Sequence, residues 1–140
     1  MVEKRREEAD VILETVRQNA PFKKWIIMGD FNSVSPVDKV KYGEAYVNRL
    51  RAAEEKHPNQ THLYNGQVDY YVHQSILDFG FVDCAYQDKN YTRDDFGARI
   101  DFIYASPDLS KSIVKCGFIT DDFTKKYSDH RPVELILNTK

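Results

Sequence analysis

The chain has 140 residues, of which 41% are hydrophobic and 13% aromatic, and this content predicts one packed globular domain rather than a disordered segment. The 20 Lys and Arg residues against 22 Asp and Glu residues give a net charge of -2, which provides no overall attraction to nucleic acid or to anionic membranes. Two cysteines, Cys84 and Cys116, are too few and too far apart to indicate a zinc site or a disulfide framework, so we expect free, buried thiols.

The first half of the chain predicts a helix, a strand and a second helix. Apolar residues recur at spacings of three and four over residues 9–20, which is typical of an amphipathic helix that ends before Pro21. Trp25–Met28 is apolar on both faces and predicts a central strand covered on two sides. A loop over Ser33–Asp38 and a largely polar surface helix over Gly43–Lys56 follow. The charged start of the chain has no apolar segment after it that would predict a signal peptide or a transmembrane span.

The second half predicts one helix and three strands, so the fold class is α/β (α+β). A turn at Asn65–Gly66 precedes a helix over Val68–Phe79, and Gly80 can take the left-handed conformation after its end. Phe81–Tyr86 fits either a short strand or an ordered loop. Asp88–Gly97 is polar and aromatic, which predicts a long excursion of the chain. The strand candidates are Ala98–Ala105, Ser112–Ile119 and Val133–Leu137, with a turn at Ser106–Asp108 between the first two.

The motif GDFN, at Gly29–Asn32, closes the first predicted strand. Residues two apart in an extended segment point the same way, so Asp30 and Asn32 would enter one cleft while Phe31 packs in the opposite direction. The carboxylate could orient or deprotonate a water, and the amide could donate to a phosphoryl oxygen without adding negative charge. The alternative is that Gly, Asp and Asn only mark the end of a strand.

Two further motifs, RIDF and SDHRP, bring an aspartate and a histidine to strand ends. Asp101 lies inside a predicted strand and needs a partner, for which two choices stay open. Arg99 would give a structural ion pair, whereas His130 would be held in one tautomer and stabilised in its charged form. His130 belongs to Ser128–Pro132, where the proline fixes the backbone that enters the last strand. Asp129 supplies an oxygen that could coordinate Mg²⁺ or accept hydrogen bonds in a loop.

Other polar residues near these motifs carry weaker signals. The remaining histidines are expected to be ordinary surface or packing residues: His57, His62 and His73. Four lysines border the motifs in sequence and could contact phosphate, although solvated surface lysines are the more frequent case: Lys39, Lys41, Lys125 and Lys126.

With the three motifs in this order, the chain resembles the endonuclease/exonuclease/phosphatase superfamily, the DNase-I-like group that cleaves phosphate esters with a divalent metal. The resemblance covers essentially all 140 residues. It implies the C-terminal half of a four-layer αββα sandwich, with residues 1–140 as a single partial domain and the N-terminal half absent. Because the family's metal-binding glutamate would lie in that absent half, we expect Mg²⁺ or Mn²⁺ as cofactor with an incomplete ligand set.

The resemblance also implies a role for each site residue. Asp30 would position the attacking water, Asn32 would contact the phosphate, and Asp129 would help to bind the metal. His130, paired with Asp101, would contact the phosphate and stabilise the transition state. The expected function is therefore a divalent-metal-dependent phosphoesterase of the phosphodiesterase or nuclease type, weak or inactive as this chain alone. A catalytically silent phosphate-binding or interaction module is the alternative.

The expected partner is a phosphate ester, and the sequence leaves its class open among nucleic acids, inositol phosphates, phospholipid headgroups and small phosphoesters. A half sandwich would also expose the inner face of a sheet and leave the last strand without some of its neighbours. Exposed apolar surface of that size favours self-association.

Overall fold

The structure is a computed structural model and describes residues 1–19, 24–86 and 97–138. The helices are α1 (Val2–Gln18), α2 (Glu44–Lys56), α3 (Tyr71–Asp78), α4 (Pro107–Ser110) and α5 (Asp122–Tyr127), with a 3-10 helix at Pro36–Lys41. The strands are β1 (Ile26–Asp30), β2 (Leu63–Tyr64), β3 (Gln67–Val68), β4 (Val82–Asp83), β5 (Asp101–Ala105), β6 (Ile113–Phe118) and β7 (Val133–Leu137). None of the helices in these ranges has the length and apolar character needed to cross a bilayer.

The strands form three small antiparallel sheets. Strand β5 lies between β1 and β4 in the first sheet, and its register with β1 places Asp30 opposite Asp101. Strands β6 and β7 pair in a second sheet, and β2 and β3 in a third. The first two sheets position the candidate site, because β1 and β5 each carry one aspartate and the histidine lies between β6 and β7.

Helices α1 and α3 cover one side of β5 and form the main core with it. Leu13 and Val16 of α1 and Ile76 of α3 pack in one cluster with Phe102 and Tyr104 of β5. The predicted amphipathic helix is confirmed, and it begins earlier than its apolar spacing indicates, at Val2. Burial of the Val2 side chain and the hydrogen bond from its backbone N–H to Thr61 Oγ1, at 3.2 Å, fix that first turn.

The prediction that Trp25–Met28 forms a central strand is wrong. Among the described residues, β1 pairs with β5 alone and is the edge of its sheet. Ile26 and Met28 are 40% and 70% exposed, so only one face of the strand is covered. A continuous apolar run indicates a preference for burial on both faces, but it does not show whether other described segments pack on both faces of the strand.

A short hairpin replaces the start of the predicted third helix. Val68 pairs with Leu63 across the β2–β3 hairpin, so α3 begins only at Tyr71. The turn predicted at Asn65–Gly66 is confirmed, with positive φ of 51° and 76° at its two residues, as expected of a tight hairpin turn. The left-handed residue after α3 is also confirmed, since Gly80 has φ of 106°.

The remaining local predictions have mixed outcomes. The surface helix is confirmed as α2, which buries Tyr46 and Leu50. The turn predicted at Ser106–Asp108 is instead the start of α4, with Pro107 in its first turn, where a missing N–H costs nothing. The predicted excursion at Asp88–Gly97 lies outside the described residues, except for Gly97.

A separate apolar cluster joins the first sheet to the β6–β7 pair. Ile103 and Ala105 of β5 are buried with Cys84, and Val133 and Leu135 of β7 pack against them. Both cysteines are free thiols as predicted, Cys84 buried and Cys116 half-buried. The contact between β5 and β7 holds the segment before β7 beside the start of β5.

Candidate catalytic site

A tight turn after β1 brings Asp30 and Asn32 together. The two carboxylate oxygens of Asp30 accept hydrogen bonds from the backbone N–H of Asn32, at 2.8 Å, and from its side-chain amide, at 3.1 Å. Asn32 has φ of 46°, a conformation that asparagine tolerates better than most residues. The two side chains are therefore joined by an Asx turn, not by strand alternation as the sequence argument assumed.

Phe31, between these two polar residues, anchors the turn to the core. Its ring packs edge-on against Phe102 and Tyr104, with centroid separations of 5.8 and 5.9 Å. Its backbone N–H also donates to the carbonyl of Ile100 at 2.9 Å. The opposite orientation of Phe31 and the two polar side chains agrees with the sequence prediction.

Asp101 and His130 form a hydrogen-bonded pair. The Nδ1 atom of His130 lies 2.8 Å from Oδ2 of Asp101, across the contact between the two sheets. The backbone N–H of His130 donates to Ser128 Oγ at 3.1 Å, which orders the turn before β7. The bond to Asp101 raises the pKa of His130, and the carboxylates of Asp30 and Asp129 add to this shift.

Among the described residues, Asp30, Asp101 and His130 form one acid–imidazole cluster, with ligand atoms all within 4.8 Å of one another. The cluster opens into a cleft of about 460 Å³, which we call the site cleft. Arg131 and Pro132 also line it. Asp129 is exposed and is not a member of the cluster, so its metal-binding role stays a prediction.

The donor atoms of the cluster fit a divalent cation in part. Two carboxylates converge on one space, and carboxylate oxygens are the ligands that Mg²⁺ and Mn²⁺ prefer. The imidazole fits less well, because its Nδ1 is already hydrogen-bonded to Asp101. Asp30 and Asp101 are therefore the residues that would hold a cation here.

Arg99, the alternative partner for Asp101, is bound elsewhere. Its guanidinium donates to both carboxylate oxygens of Asp83, at 3.0 and 2.5 Å, and its Nε donates to Asp38 at 2.9 Å. Arg99 is only 2% exposed. Burial alone would lower its pKa, but the bonds to the two carboxylates reverse this and raise it, so the guanidinium stays charged. This network ties the 3-10 helix and β4 to the start of β5.

His73 is a buried polar residue close to the site. The sequence argument expected it to be an ordinary surface or packing residue. It is fully buried, and its two ring nitrogens contact Ser33, the residue after Asn32, and Tyr104 of β5. A signal was available, since His73 lies beside Val72 and three residues before Ile76 on the buried face of α3. A histidine at such a position needs polar partners inside the core.

The four lysines that border the motifs do not line the site cleft. Lys41 pairs with Asp38 and Lys125 with Asp122, at 3.7 and 3.6 Å, while Lys126 lies over the ring of Tyr127. The cation that does line the cleft is Arg131.

Residues 4–130 match the Endonuclease/Exonuclease/phosphatase family. The chain belongs to this family. No curated protein matches this chain in sequence. Among solved structures it is similar to an AP endonuclease from Archaeoglobus fulgidus, with 20% identity and a TM-score of 0.65.

The similarity covers 96% of this family member and 53% of the AP endonuclease chain, so the chain spans about half the length of that protein. It confirms the predicted α/β (α+β) fold class of the DNase-I-like group, and the structure shows in addition that the paired strands are antiparallel.

Proposed function

We propose that this chain carries a phosphate-ester hydrolysis site in which water attacks phosphorus within the site cleft. The observation that carries the proposal is the hydrogen bond between His130 and Asp101, with Asp30 in the same cluster. An acid that orients an imidazole, beside a second acid able to orient water, is the group set that this reaction needs. Membership of the family supports the same reaction class.

Each residue has a distinct role in this proposal. Asp101 holds Nδ1 of His130, so the imidazolium presents Nε2–H to the phosphate and stabilises the negative charge that grows on it. Asp30 orients the attacking water and accepts its proton. The amide of Asn32 keeps one N–H on Asp30 and has a second N–H to donate to a phosphoryl oxygen. Arg131 binds a further oxygen of the substrate.

The proposed cofactor is Mg²⁺ or Mn²⁺, held by Asp30 and Asp101 with Asp129 as a further ligand. A bound cation would offset the negative charge of the phosphate and so favour attack by water. The acid–imidazole cluster offers two carboxylates, fewer oxygens than a tight site for such a cation normally uses. We therefore expect weak metal binding and low activity for this chain alone.

The proposed substrate class is a phosphodiester of a nucleic acid, as the word endonuclease in the name of the similar protein suggests. The net charge of -2 gives no general attraction to a polyanion, so recognition has to be local, through Arg131. Inositol phosphates, phospholipid headgroups and small phosphoesters remain alternatives, which parallel assays distinguish.

The test is hydrolysis of a chromogenic phosphodiester with Mg²⁺ or Mn²⁺ and with EDTA. We expect slow turnover that EDTA abolishes and that His130→Gln lowers on the order of a hundredfold or more. His57→Gln is the matched control, because His57 is exposed at the end of α2 and does not line the site cleft, and its rate should equal that of the wild type.

Equal rates in the wild type and His130→Gln would overturn the proposed mechanism. Phosphate binding that depends on His130, without turnover under any metal, would instead favour the silent binding module.

We include self-association in the proposal because part of the apolar surface is uncovered. Ile26 and Met28 lie on the open edge strand, and Ile12 of α1 is 42% exposed beside it. An open strand edge with apolar side chains favours pairing with another copy of the same edge.

A further inference from the structure

A set of hydrogen bonds lies directly behind the turn that carries Asp30 and Asn32. The Nε2 atom of His73 lies 3.0 Å from both the carbonyl oxygen and the hydroxyl oxygen of Ser33, and its Nδ1 lies 2.7 Å from the hydroxyl of Tyr104. The set joins the segment after β1 to α3 and β5.

The direction of each hydrogen bond follows from the atoms involved. A carbonyl oxygen can only accept, so Nε2 of His73 must carry the proton that it shares with Ser33. Burial lowers the pKa of His73 to about 3, so the ring is neutral and Nδ1 has a lone pair. Tyr104 must then donate its hydroxyl proton to Nδ1. The side chains of His73 and Tyr104 are fully buried, so water does not compete for the bond between them.

The ring of His73 also packs against the aromatic residues that hold the turn. It lies 4.1 Å from the ring centroid of Phe102 and 5.2 Å from that of Phe31, the residue between Asp30 and Asn32. Tyr104 and Asp101 belong to the same strand, three residues apart. One buried side chain on α3 thus fixes the turn after β1 against the strand that carries the other catalytic acid.

We propose that His73 is a positioning residue: its neutral ring, donating to Ser33 and accepting from Tyr104, sets the place of Asp30 and Asn32 relative to the Asp101–His130 pair. This inference rests on the proposed function and adds a residue outside the acid–imidazole cluster. It predicts that loss of the ring's two polar contacts displaces the turn without removing any group that touches substrate. Displacements of about 1 Å cost up to a hundredfold in rate.

The test uses three variants and one matched control. His73→Phe keeps an aromatic ring and removes the hydrogen bonds to Ser33 and Tyr104. His73→Gln retains a side-chain N–H for the Ser33 carbonyl, and Tyr104→Phe removes the donor to Nδ1. Tyr42→Phe is the control, since it removes a hydroxyl from a buried tyrosine that packs with Tyr46 and Leu50, in a different core cluster from His73's neighbours. Urea unfolding of each variant reports whether it folds.

For turnover of the chromogenic phosphodiester, we expect His73→Phe to lower kcat by roughly ten- to a hundredfold with KM changed less than about twofold. His73→Gln should recover most of that loss, and Tyr42→Phe should match the wild type. A folded His73→Phe variant with wild-type kcat would overturn the proposal, and so would equal losses in His73→Phe and His73→Gln.

A measurement on the protein without substrate separates the proposed role of His73 from the proposed hydrolysis. Nitrogen-15 NMR of the His73 ring should show protonated Nε2 and unprotonated Nδ1, unchanged between about pH 5 and 8. The amide of Asn32 should exchange faster with solvent in His73→Phe than in His73→Gln or Tyr42→Phe. If the wild type shows no turnover, the proposed function fails while the amide exchange still decides the positioning role. A protonated Nδ1, or unchanged exchange at Asn32, would overturn it.

Discussion

The most consequential single contact is the one between His130 and Asp101, because it sets the charge of the imidazole. The bond raises the pKa of His130 above its ordinary value of 6.5. The charged form that the proposed mechanism needs is therefore present below that raised pKa and is lost as the pH rises through it. Activity that depends on the imidazolium should fall on the alkaline side.

The first prediction concerns Asp101→Asn. Removing the carboxylate removes the main cause of the shift, so the pKa of His130 should drop toward 6.5 and the alkaline fall in activity should move to lower pH. Proton NMR titration of the four histidines measures this directly. A His130 titration that the substitution leaves unchanged would contradict the prediction.

At the residue scale, the sequence pointed to Asp30, Asp101 and His130, which the structure brings together, but not to the residues that hold them. Asp101 had two open partners, and the structure favours His130 because Arg99 is bound to Asp83 and Asp38. The position of His73 among the apolar residues of α3 could indicate burial, but its partner could not be predicted, because Ser33 lies 40 residues away and becomes a neighbour only when α3 packs on β5. Spacing along a chain does not encode such contacts.

At the scale of elements, the Arg99 network joins three segments through one buried charge. Asp38 lies on the 3-10 helix, Asp83 on β4, and Arg99 directly before β5. Buried ion pairs contribute little net stability when intact, but removing one partner leaves the other charges without compensation.

The second prediction is that Arg99→Met lowers the free energy of unfolding by about 3–5 kcal/mol, because Asp38 and Asp83 are left buried together. Urea denaturation followed by circular dichroism provides the measurement. The matched control is Arg51→Met, whose guanidinium is exposed and bonded to Asn48 on α2, and it should change stability by less than about 0.5 kcal/mol. Similar losses in the two variants would contradict the role given to the network.

The longest element, α1, was predictable because its apolar spacing repeats over several turns. The short ones were not. Strands β2 and β3 have two residues each, too few for a periodic pattern, and only their turn residues left a signal. The edge position of β1 was missed because it depends on which segments pair with it, a property of the assembled sheet.

At the scale of the molecule, apolar surface beside β1 is left open, and its main features are Ile26 and Met28. The third prediction is that the protein self-associates with rising concentration and that Met28→Lys shifts it toward the monomer, because a charge on an edge strand blocks pairing. Light scattering coupled to size-exclusion chromatography measures the mass.

Val40→Lys serves as the control for this prediction. Val40 is an apolar residue that is 89% exposed on the 3-10 helix, so the substitution adds the same charge away from β1. Its mass distribution should follow that of the wild type. A strict monomer at all concentrations in the wild type would contradict self-association through this surface.

The histidine and its aspartate come from separate sheets, joined through the apolar contact of Ile103 and Ala105 with Val133 and Leu135. A small displacement of one sheet relative to the other would separate the His130 ring from Asp101 while every helix and strand stays intact. On heating, the proposed hydrolytic activity should therefore be lost at a temperature some degrees below the unfolding transition measured by circular dichroism. A crosslink between the two sheets should bring the two temperatures together.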